Sequence, residues 1–322
     1  MNAPLLTARD LRKSFPTGRD LLGRPSALLR AVDGVDLTLP AGRTVGVVGE
    51  SGSGKTTVGR LVSRLAAPDA GKVELDGRDI TRVRGRELKK VRRDLQVIFQ
   101  DPYGSLDPTK TVGHAVAEPL AVHRVGTRAE RAGRVAELLE QVALAPSLAE
   151  RRPHELSGGQ RQRVAIARAM ALSPRVLVAD EPTSALDLST RSEILNLLLS
   201  LQAENGLAIL LISHDFATVR HLTHRIVVMY MGRVVEEGDA ADLVGDPLHP
   251  YTRALLSAVP VPDPARQRGR ERIRLRGEQP DPTALPSGCR FRSRCPQAMP
   301  RCAETDPPLT GEGHRVACLL HT

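Results

Sequence analysis

The segment GESGSGKT occupies residues 49–56, between the apolar run TVGVVG (residues 44–49) and a stretch from Lys55 to about Ala66 that reads as a helix. It fits G-x-x-x-x-G-K-[ST] in the strand–turn–helix context that this pattern requires. Glycines allow backbone N–H groups to close around phosphate oxygens, and a helix start adds partial positive charge. Lys55 supplies a cation for the β- and γ-phosphates and Thr56 a hydroxyl for Mg²⁺; Gly49, Ser51, Gly52, Ser53, Gly54 and Thr57 complete the expected cradle. By itself the segment implies a nucleotide and no particular reaction.

Working outward, strand and helix patterns alternate to about residue 258. VDLTL (residues 35–39) alternates like a half-exposed strand, whereas residues 44–49 read as a fully buried one. KVEL (residues 72–75) and LQVIFQ (residues 95–100) are further strands. Residues 111–156 read as mainly helical, with Val135, Leu138, Leu139 and Val142 on one face of a segment that begins at Thr127. RVLVAD (residues 175–180) and AILLIS (residues 208–213) flank a helix at residues 188–204. That order implies an α/β fold with a mainly parallel sheet and a helical insertion. The strand at residues 175–180 runs into two carboxylates: Asp180 is placed to hold Mg²⁺ and Glu181 to polarise an attacking water.

Composition narrows the class. The 322 residues are 41% hydrophobic and 26% charged, as in an ordinary globular protein. With 2% aromatics and no Trp, the core must rest on aliphatic side chains. The net charge of +9 favours a polyanionic neighbour without choosing among nucleotide, nucleic acid and lipid. The N-terminus lacks the apolar stretch of a signal peptide, and no apolar run approaches the length of a membrane span. The expected location is therefore the cytoplasm, with any membrane role arising through a partner. Past Val259 the chain turns rich in Pro, Gly and Arg, with Arg266, Arg268, Arg270, Arg272, Arg274 and Arg276 at alternate positions. This stretch reads as a solvated strand or linker, with contact to lipid headgroups or acidic protein as the other reading, and the lack of interleaved aromatics disfavours nucleic acid.

Further motifs carry a family resemblance. LSGGQ (residues 156–160) precedes the carboxylate strand, SALD (residues 184–187) follows it, and His214 lies in LISHD (residues 211–215). Gln100 lies in VIFQDP (residues 97–102) and Phe15 ends LRKSF (residues 11–15). In this order they resemble the signature, D-loop, switch histidine, Q-loop and adenine-stacking aromatic of the ABC ATPases. The resemblance implies a P-loop NTPase cassette with a mainly parallel core sheet, an antiparallel β subdomain and a helical subdomain at about residues 101–157. It makes Glu181, His214, Gln100 and Lys55 catalytic, and assigns Mg²⁺ to Thr56, Gln100 and Asp180. Nucleotide contacts fall to Phe15, the P-loop, Gln100, Asp180, Asp187, His214 and the signature residues Ser157, Gly158, Gly159 and Gln160. In this family a signature motif completes the ATP site of the opposing subunit, so a second ABC ATPase subunit is implied.

The rest of the chain narrows the resemblance. DPLHPYTRALLSAVP (residues 246–260), FQDPYGSLDP (residues 99–108) and ERIRLRGEQPDP (residues 271–282) look like the ATP-binding subunits of dipeptide and oligopeptide importers. Asp107 stands where relatives often carry Asn. The long lead-in before AVDGVDLTL (residues 31–39) is similar to the F-type subunit, which pairs with a D-type chain. This implies two transmembrane permease subunits, an extracytoplasmic substrate-binding protein, the cytoplasmic face of the membrane, and no nucleic acid partner. Nickel, glutathione and some sugar-oligomer importers share the architecture, and a soluble non-transport ATPase is the alternative outside transport. The implied domains are a cassette at residues 1–259, a linker at 260–287 and a Cys-rich module at 288–322.

All four cysteines lie in that last module, spaced Cys289-x₅-Cys295-x₆-Cys302-x₁₅-Cys318. The spacing lacks the paired knuckles of structural zinc and matches no common ferredoxin pattern, so alone it indicates a metal site without identity. The family resemblance implies a [4Fe–4S] cluster on all four thiolates; zinc, with His314 or His321 substituting, and free or oxidised thiols are the other readings. So small a segment with few large apolar side chains is expected to need a crosslink. Its expected role is structural, far from the nucleotide chemistry.

Overall fold

The computed structural model describes residues 4–18, 27–260, 272–275 and 277–321, apart from the side chains of residues 102 and 103. Among them are two sheets. β1 (Pro4–Thr17), β2 (Ala27–Pro40), β4 (Ala70–Leu75) and β5 (Arg78–Asp79) form an antiparallel sheet in the order β2-β1-β4-β5. The larger sheet comprises β3 (Thr44–Val48), β6 (Leu95–Ile98), β7 (Val176–Asp180), β8 (Ala208–Ser213), β9 (Arg225–Tyr230), β10 (Arg233–Asp239) and β11 (Arg315–Val316). Its order is β11-β10-β9-β3-β8-β7-β6, parallel from β9 to β6 and antiparallel at β10 and β11.

The continuous apolar runs have a direct cause. Successive residues on a strand face opposite sides, and both sides of this sheet are covered. In β7, Val176 and Val178 join one apolar cluster while Leu177 and Ala179 join the other. In β8, Ala208, Leu210 and Ile212 alternate in the same way with Ile209 and Leu211. One cluster packs against the antiparallel sheet and α1 (Lys55–Val62). The half-exposed strand expected at residues 35–39 is found within β2, with Val35, Leu37 and Leu39 buried and Asp36 and Thr38 exposed. α1 ends earlier than its sequence suggests: Ser63 caps it, and Arg64 takes a left-handed φ of 57° that turns the chain away.

The other cluster joins the helical region to the sheet. α2 (Gly85–Asp94) leads into β6, and a single turn, α3 (Pro102–Ser105), opens the insertion. α4 (Val112–Val122) starts at a Thr111 cap. α5 (Arg128–Gln141) starts at a reciprocal Thr127–Glu130 capping box. Val135, Leu138, Leu139 and Val142 are all buried, as their spacing requires. α6 (Gly158–Met170), α7 (Leu188–Asn205) and α8 (Phe216–Leu222) lie between the later parallel strands.

The C-terminal region is built into the main sheet and its core. After α9 (Ala240–Gly245) and α10 (Pro250–Ser257), the chain returns to the main sheet, where β11 pairs with the edge strand β10. Phe291 is 1% exposed, and its ring stands 5.2 Å from Tyr230, 5.4 Å from Tyr251 and 5.5 Å from His249, centroid to centroid. Phe291 belongs to the same apolar cluster as the helical region, so the tail shares the core of the cassette. Buried Glu236 on β10 ties it further, accepting from the Leu248 and His249 backbone N–H groups at 2.7 and 3.0 Å and lying 2.7 Å from His314 Nε2. Arg272 and Arg274 are exposed and lie in no strand, while Arg266, Arg268, Arg270 and Arg276 fall outside the described residues.

Candidate nucleotide-binding and catalytic site

In an open parallel sheet the crevice outside the carboxyl ends of the strands is where ligands bind, and the motifs meet at those ends. The P-loop follows β3, Gln100 lies two residues beyond β6, Asp180 closes β7, and His214 follows β8. Because β8 pairs with both β3 and β7, Val48 lies opposite Ser213 and Asp180 opposite Ile212. Four segments distant in sequence thus reach one point.

Backbone geometry gives the loop its shape. Gly54 caps α1 with a φ of 100°, and a Cβ there would meet the Ala31 carbonyl oxygen at 2.1 Å. No side chain fits that position. Lys55 is buried, and its Nζ donates to the Gly49 and Glu50 carbonyls, each at 2.8 Å. Burial lowers the affinity of Lys55 for its proton, while the charges of Glu181, Asp180 and Glu50 raise it. The ammonium is therefore held across the mouth of its own loop, with acceptors that phosphate oxygens can replace. Ser53 is fully buried, its hydroxyl lies 3.5 Å from Lys55 Nζ and its carbonyl accepts from Gly232 N–H at 2.9 Å, while Gly49, Ser51, Gly52 and Thr57 complete the same loop and the start of α1.

The carboxylates divide in role. Asp180 is 8% exposed and accepts from Thr56 Oγ1 at 3.1 Å. Burial pushes its pKa up, and the Thr56 hydrogen bond opposes that. This hydroxyl–carboxylate pair is a hard oxygen donor set at the P-loop, and it fits Mg²⁺. Gln100, the third expected Mg²⁺ ligand, instead donates from Nε2 to Glu181 Oε2 at 3.0 Å. Glu181 also meets His214 Nδ1 at 3.0 Å, so both its oxygens are engaged. Its backbone has a left-handed φ of 47° and donates to the Ile212 carbonyl at 2.8 Å. A strained backbone at this position turns the carboxylate away from the strand and towards Gln100 and His214. A base oriented by two flanking groups can direct a water at an electrophile.

The signature lies elsewhere. Ser157 caps α6 through a reciprocal box: its hydroxyl accepts from Gln160 N–H at 3.2 Å, and Gln160 Oε1 accepts from Ser157 N–H at 2.9 Å. The Ser157 hydroxyl proton remains available to an outside acceptor. A Cβ on Gly159 would stand 2.4 Å from Thr190 Cγ2, so the signature packs against the start of α7. Asp187 caps that helix, accepting from Ser189 Oγ, Thr190 N–H and Thr190 Oγ1 at 2.6, 3.0 and 2.8 Å. Among the described residues no hydrogen bond or ion pair joins residues 157–160 to residues 49–57. Phe15 is 39% exposed on β1, with Lys13 Nζ 5.6 Å from its ring centre, and so offers an open stacking face.

The structure lends the cluster no support and corrects the expected distance of the tail from the nucleotide site. The four thiols are free; burial raises the pKa of Cys289 to about 11 and pushes Cys295 and Cys318 up as well, with repulsion between neighbouring thiolates adding to it. Thiols this close influence one another, yet among the described residues no three His, Cys, Asp or Glu side chains are gathered so as to hold a metal ion. The four thiols supply the donor chemistry of a cluster, and their described arrangement does not by itself support one. Nor is the tail far from the nucleotide site: Arg294 forms a two-pronged ion pair with Glu50, inside the P-loop. Glu50, Tyr251 and Arg294 were not singled out in the sequence; the only hint is a charged residue at a variable position of the glycine loop.

The ABC transporter family matches residues 32–184, and the family described as the oligopeptide/dipeptide transporter C-terminal region matches residues 235–302. A putative peptide import ATP-binding protein of Brucella ovis is 48% identical over 98% of this chain and 98% of its own. The oligopeptide transport ATP-binding protein AppF of Bacillus subtilis is 47% identical over 99% of this chain and 98% of its own. Among solved structures, the dimeric post-hydrolysis state of the ATP-binding cassette MJ0796, bound to ADP and Pi, superimposes with a TM-score of 0.65 at 33% identity. It covers 73% of this chain and 98% of that one.

Proposed function

Since this chain belongs to the ABC transporter family, in its peptide-import branch, we propose that it is the ATP-hydrolysing subunit that powers uptake of dipeptides or oligopeptides. The observation that carries the catalytic reading is the convergence of Gln100 and His214 on Glu181, beside the Thr56–Asp180 pair and Lys55. Thr56 and Asp180, with Gln100, would hold Mg²⁺, which would neutralise charge on the phosphates. Lys55 exchanges its two carbonyl acceptors for phosphate oxygens when ATP enters. Glu181, held by Gln100 and His214, orients and polarises the attacking water. Phe15 stacks on the base, and Asp187 fixes the start of α7, against which the signature packs.

Among the described residues Ser157 and the start of α6 make no hydrogen bond or ion pair to this chain's own P-loop, which supports completion of each ATP site by a second cassette. That cassette is a related D-type chain in this reading, and the pair drives two permease subunits supplied by an extracytoplasmic binding protein. Among the described residues no helix is long and apolar enough to cross a membrane; in this reading the permeases hold the chain at the cytoplasmic face. A [4Fe–4S] cluster on Cys289, Cys295, Cys302 and Cys318 rests on the donor set alone, and iron analysis of protein purified without oxygen decides it. The transport reading is tested in vesicles containing this chain and its copurifying permeases. ATP-dependent accumulation of a labelled oligopeptide, lost with Lys55→Ala, is the expected result. ATP hydrolysis that neither peptide nor permease stimulates would refute it.

A further inference from the structure

Three groups grip Glu50 in the P-loop. Its backbone N–H donates to Tyr251 Oη at 2.8 Å, and its carbonyl accepts from Lys55 Nζ at 2.8 Å. Its carboxylate receives both prongs of Arg294, Nη1 to Oε2 at 2.6 Å and Nη2 to Oε1 at 3.1 Å. Paired, planar contacts of this kind are the strongest and most directional that an arginine makes. The pair spans 244 positions of sequence, and the side chains are only 10% and 28% exposed. Arg294 is not free to drift. Phe291 is locked among Tyr230, Tyr251 and His249, and Arg290 pairs with buried Asp33 and donates to the Met231 carbonyl at 2.6 Å.

The charge of Glu50 is a liability where it stands. A carboxylate in a loop built to surround phosphates repels them and competes for Lys55, and partial burial weakens the screening that water would provide. Arg294 cancels that charge and fixes its direction. We propose that Arg294 is a positioning residue for the P-loop, and that by clamping and neutralising Glu50 it makes nucleotide affinity depend on the C-terminal region. This rests on the nucleotide-site reading above.

The test is binding of Mg-ATP to the full-length protein, together with steady-state kinetics, for Arg294→Met, Arg294→Lys, Glu50→Gln and the double variant Arg294→Met/Glu50→Gln. Arg294→Met raises the Kd and KM for ATP about tenfold, ~1.4 kcal/mol, with a smaller change in kcat. Adding Glu50→Gln recovers most of the loss, because the stranded charge is gone; Arg294→Lys is intermediate. A purely structural anchor behaves otherwise, since Glu50→Gln cannot replace it. Unchanged affinity in Arg294→Met, or a loss that Glu50→Gln does not relieve, overturns the proposal. Should Arg294→Met fail to fold, Arg294→Lys alone and with Glu50→Gln makes the same comparison. Wild-type protein that binds no ATP sinks the nucleotide reading and this one with it, whereas wild-type binding that Arg294→Met leaves intact sinks this one alone.

Discussion

Replacing Phe291 by alanine asks whether the Cys-rich tail is an appendage or part of the cassette. The ring is 1% exposed and is surrounded by Tyr230, Tyr251 and His249 at centroid distances of 5.2–5.5 Å. Truncating a buried Phe to Ala removes the transfer energy of the ring and leaves a cavity, together about 3–5 kcal/mol. Its edge-on contact with Tyr230, worth about 0.5–1.5 kcal/mol in favourable cases, places this site towards the upper end. Against a total stability of about 5–15 kcal/mol, that is a large fraction. At about 2 °C per kcal/mol for a chain of this size, the melting temperature falls by about 6–10 °C. The assay is thermal and urea unfolding, followed by circular dichroism and by accessibility of the cysteines to a thiol reagent. A shared core predicts one transition, shifted alike in both signals. A main transition at the wild-type midpoint, with only the cysteines exposed early, would refute the shared core.

Other outcomes follow from single residues. Gly54→Ala imposes strain of about 1–3 kcal/mol at its φ, and its Cβ would lie 2.1 Å from the Ala31 carbonyl. ATP affinity measured by titration falls at least about tenfold, and unchanged affinity would show that the loop has another shape. Burial, and then the charge of His321, lowers the His249 pKa from 6.5 to about 3. The unfolded chain therefore takes up that proton first, so this contribution to stability is intact above pH 6.5 and is lost as the pH falls towards about 3. The slope is at most ~1.4 kcal/mol per pH unit. His249→Asn, which can still cap α10, should flatten the decline in urea midpoints between pH 6.5 and pH 4, and an unaltered profile would count against the buried neutral imidazole.

Local pattern made much of this molecule legible. The run at residues 44–48 and the glycine loop at residues 49–54 define a strand and a turn by apolar content and missing side chains, and both are found where expected. Thr127 with Glu130, and Ser157 with Gln160, announce helix starts because the cap is made of neighbours in sequence. What was not legible depends on distance along the chain or on backbone conformation. Nothing near Arg294 indicates that its partner is Glu50, and nothing in a two-residue strand such as β11 announces that it will extend a sheet. The left-handed φ of Glu181 cannot be read from a residue type that ordinarily avoids it, although it aims the carboxylate. The cysteines stay open for a related reason: spacing states which donors are available but not whether they converge.

The central claim is that Glu181, oriented by Gln100 and His214, is the group that activates water. The direct measurement is ATP turnover by Glu181→Gln beside a binding titration of the same preparation. This substitution keeps the size and hydrogen-bonding capacity of the side chain and removes its basicity. The account predicts ATP binding within a few-fold of wild type and a kcat lowered by about a hundredfold or more, the scale of a lost general base. Turnover within about tenfold of wild type, with binding intact, would place the base on another residue.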